Sequence, residues 1–282
     1  MLVAWAPLYY GIGRGLMRHG FEHPVVVTGG EGGLVAAAAF AVVMLLGGVL
    51  GSFIAGRADG RGAVLVASAA LLAWTFAGGT MDDWLLSQQP AGGPGSAAPY
   101  RALIGELVYL TVVLGGLVAL VTWLRRRDAS PVPGGFADLW AEPQNASSVR
   151  NGALALLVTI VVAAFLLSVL NGPAIAITRR GQVIFATAVS FWAATLAAHY
   201  LTHVRRPLWY WAAVPVVGLI GLLYAQARPV LGAPYENINT IPPLGLARPL
   251  PVELLSVGFL AIHWAFRTIR LARDTISRES SA

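Results

Sequence analysis

Seven apolar runs divide the chain: 33–55, 62–79, 102–124, 152–170, 182–201, 207–224 and 252–266. Short charged turns or long Gly/Pro-rich links separate them. Crossing the hydrocarbon core of a bilayer takes roughly 20 mostly apolar residues in a helix. Most runs approach that length. The last is the shortest and leans on its Trp264 and Arg267 flank. None alternates polar and apolar positions as a barrel strand would. Backbone groups in lipid must be paired within their own segment, so the runs predict helices.

The charges between the runs set an orientation. Arg57 and Arg61 fill one short turn, and Arg205 and Arg206 fill another. Arg125, Arg126, Arg127 and Arg150 lie in the longest polar link, and Arg267, Arg270, Arg273 and Arg278 in the tail. With seven spans all four regions fall on one side, the cytoplasmic side by the positive-inside rule. Asp82, Asp83 and the two links 78–100 and 225–247 fall on the other. Arg179 and Arg180 break the rule there.

A repeat underlies this order. Arg101-Ala-Leu-Ile-Gly-Glu106-Leu107 returns as Arg248-Pro-Leu-Pro-Val-Glu253-Leu254, with 147 residues between the two Arg and between the two Glu. Each copy follows the sequence span, basic turn, span, long link, Arg…Glu span, basic end. Copies in the same orientation make a parallel repeat about the membrane normal. The fold expected is therefore an all-α, polytopic helical membrane protein with about seven transmembrane helices and a parallel internal repeat. The repeat is 3+1+3, or a degenerate 4+4 if residues 1–20 are the counterpart of 152–170.

The expected divisions are an N-terminal interfacial segment (1–32), a first three-helix repeat (33–127), a cytoplasmic link with a connecting helix (128–179), a second repeat (180–274) and a cytoplasmic tail (275–282). In the first of these, Trp5, Tyr9 and Tyr10 suit headgroup level. Pro24-Val-Val-Val-Thr28 before the first span resembles Pro173-Ala-Ile-Ala-Ile-Thr178 before the fifth.

Composition narrows the environment and the chemistry. Hydrophobic residues make up 57% of the chain and charged residues 11%, with mean hydropathy +0.69. Soluble domains carry about 25% charged residues, so this chain lacks a water-facing surface. The net charge of +6 does not imply nucleic acid, because the Arg sit at the ends of apolar runs. Cysteine and lysine are absent. Thiolate chemistry, iron–sulfur ligation, Schiff bases and the P-loop lysine are excluded.

Glu106 and Glu253 are the only acids inside the predicted spans. A carboxylate at that depth is costly unless paired, protonated or hydrated, so it marks a site. With Arg101 and Arg248 they form ion-pair or cation/proton-site candidates, one in each half. The plainer alternative is a pair of interfacial anchors that fix helix depth. His199 and His203 are spaced for one helix face, and His263 lies at similar depth. The three are metal or haem candidates, but no acid stands beside them to orient the rings, and no cofactor is expected. His19 and His23 read as surface residues. Gly47, Gly48, Gly51 and Ala55 form a small-residue packing stripe. The sequon at Asn145 falls on the cytoplasmic side, where it is inert.

Nine Trp suit interface belts, and aromatic residues also stabilise cations. Arg248-Pro-Leu-Pro-Val-Glu253-Leu254 resembles the Pro-rich acidic motif of the lycopene cyclases built from two parallel three-helix halves. That resemblance implies an isoprenoid-modifying membrane enzyme. It covers this segment alone, and each half here has one Glu where those enzymes carry consecutive acids.

Three functions are compatible with the sequence. The one favoured by bland spans and Trp-rich surfaces is a non-catalytic integral membrane subunit or scaffold of a larger assembly. The others are a small transporter or channel with a pseudo-symmetric Arg/Glu site, and a membrane-embedded lipid or isoprenoid enzyme. Expected partners are the lipid bilayer and other membrane-protein subunits, in a prokaryotic cytoplasmic membrane with the C-terminus cytoplasmic.

Overall fold

A computed structural model describes residues 26–28, 33–54, 60–76, 78–92, 97–127, 146–172, 179–228 and 244–279. The expectations on residues 1–25, on Arg57, on Asn145 and on 173–178 lie outside the described residues.

The described chain is all-helical: α1 (Gly33–Ile54), α2 (Gly60–Thr75), α3 (Met81–Gly92), α4 (Ala98–Arg127), α5 (Ala146–Leu170), α6 (Arg180–Thr202), α7 (Pro207–Ala227), the 3-10 turn η1 (Gly245–Ala247) and α8 (Pro251–Glu279). Every predicted run falls largely within one of these helices. Six of them, α1 and α4 to α8, are long and apolar enough to cross a membrane, which fits a multi-pass membrane protein. The expected count of seven is not reached by that measure, because α2 has only 16 residues, about 24 Å at the α-helical rise. The final run is longer than expected, since α8 continues beyond 266 as one 29-residue helix. The link 78–100 also holds a helix the apolar pattern did not show. In α3, the Asp83 carboxylate reaches back as the acidic half of a capping box does, accepting from Thr80 N–H at 2.5 Å and from Thr80 Oγ1 at 2.9 Å.

α8 is the central helix. Residues 251–259 are all buried, and α8 packs against α2, α4, α6 and α7. α4 meets it with a stripe at alternating spacings of four and three: Leu103, Leu107, Leu110, Leu114, Leu117 and Val121, all buried. On the opposite face of α4, Val108 and Val112 are exposed, as lipid-facing residues are. Five buried or outward Thr on the helices, among them Thr111, Thr159 and Thr195, donate their hydroxyls to the carbonyl four residues back, which satisfies them without water.

Two ends result. Residues 26–28, 78–83, 171–172, 179–180 and 244–253 gather at one, the Glu end. Asn171 Nδ2 donates to Gly245 O at 3.4 Å, and Gln182 Nε2 to Leu170 O at 3.1 Å. The α6–α7 turn and the ends of α4 and α8 form the other, the Arg end. At the Glu end η1 is wedged between α5 and α7. A Cβ on Gly221 would lie 2.7 Å from Leu246 O, and one on Gly245 would lie 2.9 Å from Leu167 O. Gly221→Ala is therefore expected to cost about 1–3 kcal/mol through overpacking against backbone, read as a lower thermal midpoint in detergent. Gly116→Ala is the control. Nothing lies within 4 Å of its Cβ position, and it is expected to leave the midpoint unchanged or raise it, since Ala favours helix over Gly.

Candidate functional site

Glu106 lies in the third turn of α4 and is wholly buried. Both of its oxygens are occupied. Oε1 accepts from Val27 N–H at 2.8 Å; Oε2 accepts from Thr28 N–H at 2.7 Å and Thr28 Oγ1 at 2.6 Å. The carboxylate thus binds the backbone just ahead of α1, a stretch whose donors have no helical partner of their own. One turn deeper, the Tyr109 hydroxyl donates to Ala37 O. α4 therefore grips α1 at two successive levels.

Glu253 lies in the first turn of α8, at the position a capping box gives to Glu. Pro251 opens the helix, where its missing N–H costs nothing. Glu253 Oε2 accepts from Leu250 N–H at 3.0 Å, and Oε1 accepts from Arg180 Nε at 3.2 Å. Arg180 is the first residue of α6, and its Nη2 donates to the carbonyls of Gly78 and Gly79, between α2 and α3. One guanidinium therefore ties α6 and α8 to the turn between α2 and α3.

Neither expected Arg/Glu pair forms this way. Five residues turn an α-helix by about 500°, leaving the side chains about 140° apart. Arg101 accordingly is exposed while Glu106 points inward. Arg248 precedes α8, at the end of η1. It is buried, and Asp82 on α3 supplies its nearby negative charge. Burial lowers the Arg248 pKa and the Asp82 carboxylate opposes that shift. Arg248 Nε has no hydrogen-bond partner among the described residues. The two acids of the Asp82–Asp83 pair thus divide their work: Asp83 caps α3 and Asp82 faces Arg248.

Sequence reasoning missed Arg180 as a partner, although the signal was present. A cation at the end where the sequence pattern expects few needs a partner, and Glu253 supplies it. Val27 and Thr28 gave no such signal, because they act largely through backbone N–H groups.

The histidines do not share a face. His203 ends α6 in the left-handed region at φ 54°, so its side chain leaves the helix and is exposed. His199 is buried, its Nδ1 2.9 Å from Val204 O and its ring edge-on to Phe266. His263 is half-buried on α8. Among the described residues no three His, Asp or Glu come together as a metal site.

Comparison with known proteins finds no matching family, no matching curated relative and no matching solved structure.

Proposed function

We propose that the chain is a non-catalytic integral membrane subunit, a scaffold within a larger membrane assembly. The carrying observation is the occupancy of the two intramembrane carboxylates. All four oxygens accept hydrogen bonds from the chain's own Val27, Thr28, Leu250 and Arg180. A cation or proton site needs a carboxylate that is free to change partners; these hold helix ends. The outward aromatic surface supports the same reading. Trp264 is 63% exposed and stands beside Trp192 with ring centroids 6.4 Å apart and planes tilted by 45°, an aromatic surface suited to a neighbouring transmembrane helix.

The scaffold is built, on this reading, from two parallel repeats, 33–127 and 180–274, joined by 128–179. Each Glu holds the start of its own half: Glu106 the residues ahead of α1, and Glu253 the first residue of α6. α2 packs on α8 as α7 packs on α4, and α4 packs on α8 between them. The halves differ where α5 intervenes, since α6 packs on α5 while α1 packs on α2. The Arg end is cytoplasmic, with the C-terminus on that side.

Purification in mild detergent tests the function. The protein is expected to run on a native gel in a complex heavier than itself, with stoichiometric partner subunits. A chain recovered alone, with a transport or enzymatic activity abolished by Glu253→Gln in folded protein, would replace the scaffold with the transporter or enzyme.

A further inference from the structure

An apolar groove of about 800 Å³ opens sideways between α4 and α7, within the range of about 300–1,000 Å³ typical of ligand pockets. Thr111, Gly115 and Ala119 form one wall, and Ala212 and Pro215 the other, with Phe259 of α8 behind. Small residues on both walls keep the space open. No atom lies within 4 Å of the Cβ position of Gly115.

The groove has a polar level. Trp211 lines it and is 7% exposed, and its Nε1 is buried with no hydrogen-bond partner among the described residues. Pro215 has no N–H to give to the Trp211 carbonyl four residues earlier. An unmet donor and a weakened acceptor therefore stand at one residue. Trp211 is four residues into α7 from Pro207, about 6 Å along the axis from its start. Beyond it, at the Arg end, the chain is basic. Arg205 and Arg206 immediately precede α7, and Arg125, Arg126 and Arg127 close α4. Trp123 and Leu208 line the groove within two residues of these Arg.

We propose that this groove binds one anionic phospholipid. An acyl chain lies against Gly115, Ala119 and Pro215. The headgroup meets the basic residues at the Arg end. A second protein helix would not use the charge at the Arg end, and a zwitterionic lipid would gain less from it.

Native mass spectrometry of the detergent-purified protein tests this with two lipids of identical chains, dioleoyl phosphatidylglycerol and dioleoyl phosphatidylcholine. Phosphatidylglycerol is expected to be retained about tenfold better, since each basic residue near the surface strengthens anionic binding. Gly115→Phe fills the groove and is expected to abolish retention of both. Arg205→Gln with Arg206→Gln is expected to remove the preference. Equal retention of the two lipids would overturn the proposal, as would unchanged retention by Gly115→Phe or its conversion of a dimer to a monomer. If Gly115→Phe does not fold, photo-crosslinking from the acyl chain of phosphatidylglycerol to the wild-type protein decides. Labels are expected within 111–123 and 208–216, and labels confined elsewhere would overturn the site.

Discussion

Arg180→Met is expected to destabilise the protein by about 3–5 kcal/mol, the usual cost of removing one partner from a buried ion pair. Glu253, 2% exposed, would keep its carboxylate inside the bundle with Leu250 N–H as its remaining partner. The Gly78 and Gly79 carbonyls would lose their donor at the same time. Native stabilities of about 5–15 kcal/mol leave little margin for such a loss. The expected readout is a sharply lower thermal midpoint in detergent and less monodisperse protein on size exclusion. Arg180→Lys should recover part of the loss. An ammonium can reach either the carboxylate or the carbonyls, but it lacks the fork that serves all three. Arg101→Met, on an exposed side chain without that geometry, should shift the midpoint little. Equal effects of Arg101→Met and Arg180→Met would refute the assignment.

The second large effect is expected at Glu106. In Glu106→Ala, the Val27 and Thr28 N–H groups lose their acceptor, and an unsatisfied buried donor costs about 1–3 kcal/mol. Glu106→Gln should fall between alanine and the wild type. Its one oxygen can serve one side, but its amide NH₂ would face a backbone N–H on the other. Thr28 Oγ1 can turn to accept, whereas Val27 N–H cannot. Hydrogen exchange localises the effect. The Val27 and Thr28 amides should both exchange much faster in Glu106→Ala and the Thr28 amide faster in Glu106→Gln, while amides in the middle of α8 stay protected. Unchanged exchange at 27 and 28 would show that Glu106 does not hold this segment.

Apolar run length made the membrane helices legible in the sequence, because six runs exceed what a soluble helix needs. α2 lies near the lower limit, so its run alone does not separate a span from a short buried helix. α3 was hidden because Gln88, Gln89 and the acidic first turn make it too polar and too short to stand out. The two Glu were legible as costly residues in the right places. Apart from Leu250, their partners were not, because those lie 73 to 79 positions away, while sequence spacing offered an Arg only five residues off that does not meet its Glu. The groove was hidden for a similar reason. Gly115 and Pro215 belong to helices far apart in the chain, and neither residue marks a cavity until α4 and α7 pack side by side.

The claim that the intramembrane carboxylates serve as clamps is tested most directly by a double-mutant cycle on Arg180 and Glu253. Stabilities are measured for the wild type, Arg180→Met, Glu253→Met and the double variant. A clamp gives strong coupling, about 0.5–3 kcal/mol, so the double variant should be more stable than the sum of the single losses allows, since no unpaired charge is left buried. Additive losses, agreeing within about 0.3–0.5 kcal/mol, would contradict the clamp and return Glu253 to the set of carboxylates free to bind a cation or carry a proton.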